Sequence, residues 1–89
     1  MTTITVERGK HAQERKDEEL WVVTCDDRDV ARRLSSMIAR DKKFQRVVAL
    51  PAHSVSFAAA KKRRKRYKKV LENLASAANM GKEVEMVYE

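Results

Sequence analysis

The chain has one cysteine, one proline, two glycines and five aromatic residues among 89. The lone Cys25 excludes an intrachain disulfide and any cysteine-built metal site, and it favours a reducing compartment. With so little Gly and Pro, few irregular connections are expected, and a hydrophobic fraction of 43% supports a folded chain despite 37% charged residues. The opening "MTTITVERGK" lacks the apolar core of a signal peptide, and no apolar run approaches the length of a membrane span. The expectation is one soluble domain over residues 1–89, without membrane contact. Its expected location is cytoplasmic, or nuclear in a eukaryotic chain. No Gly-rich phosphate loop is present, and His11 and His53 have no partner at metal-ligand spacing, so no cofactor or metal is expected.

One absence is local. The segment "KKRRKRYKK", Lys61 to Lys69, has no acid and carries eight of the twenty Lys and Arg residues. Outside it, twelve bases face thirteen acids, so the formal charge of +7 resides in this segment. A basic cluster on an otherwise neutral domain is the electrostatic footprint of a nucleic-acid binder.

Periodicity gives the rest of the frame. "TTITV", residues 2–6, alternates as a short strand, and residues 7–19 form a polar loop whose only apolar residue is Ala12. "LWVVTC", residues 20–25, reads as a central strand buried on both faces. In "DDRDVARRLSSMIARDKK", Val30, Leu34, Met37 and Ile38 make one helical stripe. Acids stand at its start and Arg40, Lys42 and Lys43 at its end, as the helix dipole prefers. "FQRVVAL", residues 44–50, is the next strand, ended by Pro51. "HSVSF" alternates like a strand, although Ser54 or Ser56 would also serve as the cap of a longer helix; the strand is preferred. A second helix follows over residues 59–80, with Tyr67, Val70, Leu71, Leu74 and Ala78 buried and Gly81 as its left-handed terminator. "KEVEMVYE" closes the chain as a half-buried strand. The predicted class is α+β: a small ferredoxin-like split βαβ sandwich, an antiparallel sheet with two helices on one face and an extra N-terminal strand.

"LWVVTC" resembles the first-strand signature of RNA-recognition-motif domains, with an aromatic residue second in the hexamer. The resemblance implies the βαββαβ order and a base-stacking role for Trp21. "HSVSFAAA" departs from the other half of that signature, a basic–glycine–aromatic pattern, and Trp21 is assigned to the core.

Cations in the first turns of a helix oppose its dipole and one another. The second helix breaks a rule that the first obeys, without visible compensation in sequence, and such places are where function is expected. The candidate binding residues are Lys61, Lys62, Arg63, Arg64, Lys65, Arg66, Lys68 and Lys69. The partner expected is nucleic acid, DNA or RNA, or a nucleoprotein complex, held through phosphates by a non-enzymatic domain. The alternative is a small phage-type inhibitor or adaptor that docks the same helix on an acidic or nucleic-acid-binding protein surface. A third reading, a Mg-dependent nuclease using Asp26, Asp27 and Asp29, competes with helix capping, which is preferred. A terminal strand at a sheet edge would allow a homodimer.

Overall fold

The computed structural model describes residues 1–9, 15–51 and 53–89. Its elements are β1 (Thr2–Arg8), β2 (Glu18–Cys25), α1 (Arg28–Arg40), β3 (Gln45–Leu50), β4 (Ser54–Ala60) and α2 (Arg64–Ala78), the last preceded by a 3-10 turn over Lys61–Arg63. The strand β5 (Val84–Tyr88) follows. Among the described residues no helix is long and apolar enough to cross a membrane.

The five strands form one sheet in the order β3-β4-β2-β1-β5. It is a mixed sheet, not antiparallel throughout as expected. The β1–β2 connection returns the chain directly, so β1 takes the side of β2 that β4 leaves open, with Ile4 opposite Cys25 and Val6 opposite Val23. When β5 arrives from α2, the edge available to it is that of β1, and it pairs there in parallel, Ile4 opposite Met86. The N-terminal strand is therefore an interior strand, and the edges are β3 and β5.

Side-chain alternation sorts the strands into two faces. Ile4, Val6, Trp21, Val23, Cys25, Val55, Phe57 and Ala59 point to one side and join Val30, Leu34 and Ile38 of α1 and Leu71, Ala75 and Ala78 of α2 in a single core. The opposite face shows Thr3, Thr5, Val22, Thr24, Ser54, Ser56 and Val48, with Thr24 and Ser54 hydroxyls 2.8 Å apart. Central β2 is thus buried along its helix side, while on the other face Leu20 is buried and Val22 and Thr24 are half-exposed.

Several boundaries move for local reasons. β1 continues to Arg8 and β2 begins at Glu18, so the polar connection is shorter than residues 7–19. Residues 10–14, including His11 and Ala12, lie outside the described residues. Residues 54–60 are strand, and even the helix-forming Ala58–Ala60 pair with Glu18–Leu20; tertiary pairing overrides propensity here. At the end of α2 the Gly81 N–H donates to Ser76 O and the Met80 N–H to Ala77 O, a Schellman closure. Its first left-handed residue is Met80 (φ 58°), with Gly81 (φ 78°) next.

α1 starts as its acids dictate. The Asp27 carboxylate accepts from the Asp29 and Val30 N–H groups, while that of Asp26 accepts from Thr3 N–H. Asp27→Ala is expected to cost about 1 kcal/mol, the usual value of such a cap, read as a lower urea midpoint with an unchanged m-value.

Candidate functional site

The two helices run antiparallel on the sheet. Arg33 Nε donates to Ala78 O (2.6 Å), and Tyr67 OH donates to Lys43 O (2.8 Å). The cation-rich end of α1 consequently lies beside the cation-rich start of α2. One consequence is a cleft of about 290 Å³ lined by Lys42, Lys43, Gln45, Arg63, Arg66, Tyr67 and Val70. Four of these seven residues are cations and none is a carboxylate. Lys42 and Lys43 come from the α1–β3 turn, Arg63 from the 3-10 turn before α2 and Arg66 from the first turn of α2.

Sequence reasoning placed Lys42 and Lys43 at a helix end as dipole complements and did not join them to the basic segment. A signal for the join was available: no Asp or Glu occurs between Asp41 and Glu72. The cleft is the place where that acid-free span folds back on itself.

The candidate residues divide. Lys61, Lys62, Arg63, Lys65, Arg66 and Lys69 are exposed. Lys68 leans over the Tyr88 ring, its Nζ 4.7 Å from the centroid. Tyr88 in turn donates to Glu72 (3.1 Å), and burial together with that carboxylate pushes the phenol up to about 12.

Arg64 has a different role. Its guanidinium forks onto Glu19, with Nε 2.8 Å from one oxygen and a terminal nitrogen 2.9 Å from the other. Glu19 is only 2% exposed, and its carboxylate also takes Trp21 Nε1–H (3.1 Å) and pairs with Arg8 (3.1 Å). The compensation absent from the local sequence of α2 is therefore supplied from β2. Such a buried charge is tolerated because donors surround it. The Arg64 fork holds the Glu19 carboxyl below the ordinary glutamate range; burial opposes this, and the Trp21 N–H and Arg8 add to the lowering. Arg64, Arg8, Glu19, Trp21, Lys68 and Tyr88 also line a second cleft, of about 240 Å³, shared with Val6, Glu7 and Glu89.

The other sequence candidates are used structurally. Trp21 is 4% exposed on the helix side of the sheet, and the face that carries stacking aromatics in the resembled domains has here Thr, Ser and Val. Cys25 is buried, which pushes its thiol up and away from the reactive thiolate form. Asp26 and Asp27 bind backbone N–H groups at the opposite end of the molecule from the basic cleft, and no cluster of His, Cys, Asp and Glu suited to a metal occurs among the described residues. His53 is exposed in the β3–β4 turn with φ 61°. Comparison with protein-family models, curated proteins and solved structures finds no match.

A carboxylate with a lowered folded-state pKa gives stability that is complete above its unfolded value and lost as pH falls. In the window between the two values the unfolded chain binds the extra proton. For Glu19 the loss begins as pH drops through the ordinary value of 4.5. Glu19→Gln is expected to lower the urea midpoint at neutral pH and to make the decline between about pH 5 and 3 shallower. Denaturation series at several pH values check both.

Proposed function

We propose that the protein binds nucleic acid through the pole formed by the α1–β3 turn and the first turns of α2, acting as a non-enzymatic, phosphate-reading domain. The observation that carries this reading is the cleft of Lys42, Lys43, Arg63 and Arg66, into which two separate elements bring four cations with no carboxylate in the wall. Like charges so gathered repel one another in the free protein, and an anion relieves that repulsion. Long flexible cations without a fixed acidic partner among the described residues suit phosphate oxygens, whose contacts position a nucleic acid without reading its sequence. Arg64 leaves the binding set, since Glu19 already holds it.

Binding of this kind is micromolar or tighter at low salt and weakens steeply as salt rises. Engagement of four phosphates gives a log–log salt slope of about −3.5. Fluorescence anisotropy with a labelled oligonucleotide at several salt concentrations measures it. Lys42→Ala with Arg66→Ala is expected to flatten the slope by roughly 2. Lys65→Glu separates the functional reading from a merely solvated face. An acid in the first turn of α2, four residues before Lys69, should raise stability by a few tenths of a kcal/mol while binding falls at least tenfold. Stabilisation without loss of binding would count against the proposal. If no oligonucleotide binds even at low salt, an acidic protein surface becomes the partner to seek, the inhibitor or adaptor role considered from sequence.

A further inference from the structure

Resting on that reading of the basic pole, we infer that its nucleic acid is double-stranded, and specifically that the start of α2 seats between the two phosphate rows of a B-form DNA groove.

The first observation concerns the aromatic side chains. Proteins that hold single strands combine a cationic groove with exposed rings on which bases stack. The chain has five aromatic residues, and four of them are packed in or against the core. Trp21, Phe44 and Phe57 are buried, each at most 5% exposed. Tyr67 abuts all three, with ring centroids 5.6–6.2 Å away, and its hydroxyl is committed to Lys43 O. Tyr88, 36% exposed, has the Lys68 ammonium over one face of its ring. The bare face of the sheet holds no ring, and it carries Glu7 and Glu85. A single strand would gain charge contacts here and at most one ring, that of Tyr88, to stack on.

The second observation is the arc over which the cations spread. At 3.6 residues per turn, Arg66 and Lys68 stand roughly 160° apart around the α2 axis, with Lys65 and Lys69 in the arc between them. Arg66 lines the cleft on the α1 side, and Lys68 lines the one on the β5 side. One phosphate row cannot meet both ends of such an arc. Two rows flanking the helix can, and their separation must then match a helix diameter of about 10–12 Å. The B-DNA major groove, about 12 Å wide, admits an α-helix. The deep and narrow A-form groove does not.

The test is anisotropy at one fixed salt concentration with four labelled probes: a mixed-sequence DNA duplex, each of its separated strands, and the RNA duplex of the same sequence. Duplex DNA is expected to bind about tenfold or more tighter than the others. Lys69→Glu, on an exposed arc away from the core, should lower duplex binding at least tenfold and bring it close to that of the single strands. Equal or tighter binding of a single strand or of duplex RNA overturns this inference and leaves the phosphate-binding reading intact. Failure of all four probes to bind overturns both.

Discussion

The buried carboxylate of Glu19 is the interaction on which the arrangement of the rest depends. It sits on β2 and takes donors from three elements: Arg8 at the end of β1, Trp21 of its own strand and Arg64 at the first residue of α2. This fixes where α2 begins and how it enters over the sheet. It also neutralises one cation of the basic segment, Arg64. Without an acid beneath it, a helix opening on five positive charges, with three more in the turn before it, would repel itself at the end where its own dipole is already positive. With Arg64 held by Glu19 and Lys68 over the Tyr88 ring, the other six are left facing solvent.

Two features of topology then determine what those cations do. Antiparallel packing of the helices brings the end of α1, where Lys42 and Lys43 satisfy the dipole, against the start of α2, where Arg63 and Arg66 do not. The insertion of β1 between β2 and β5 widens the sheet beneath α2 and carries Arg8 and Tyr88 to the same end. The acids Asp26 and Asp27 lie at the other end, occupied with the N-terminus of α1 and the start of β1. The molecule is thus polarised along its strands, and steering of an anionic partner toward one end follows from the charge layout alone.

Local signals were legible in the sequence and long-range ones were not. The stripe Val30–Leu34–Ile38 and the alternating Val55 and Phe57 announce their burial by spacing and are buried; of the strand "LWVVTC", Leu20, Trp21, Val23 and Cys25 are buried and Val22 and Thr24 are not. Strand order was not legible, because periodicity says which face a residue takes and nothing about which strand lies beside it. Hence β1 was expected as an appendage and is an interior strand. Glu19 was read as part of a polar loop because a carboxylate next to an apolar run looks like its boundary. Its burial depends on Arg64, 45 residues away. The basic segment itself was plain, while the cleft needed the fold to bring Lys42 and Lys43 to it.

The division of the surface into a binding pole and inert remainder is tested most directly by mapping amide chemical shifts as duplex DNA is added to isotope-labelled protein at low salt. The expected result is that the largest shifts fall on Lys42, Lys43 and residues 61–69, and that they collapse as salt is raised. Thr5, Val22 and Thr24 on the sheet face away from the helices, and Asp26 and Asp27 at the far end, should stay where they are. Largest shifts on the sheet face or around the aspartates would contradict the assignment of this pole as the binding surface.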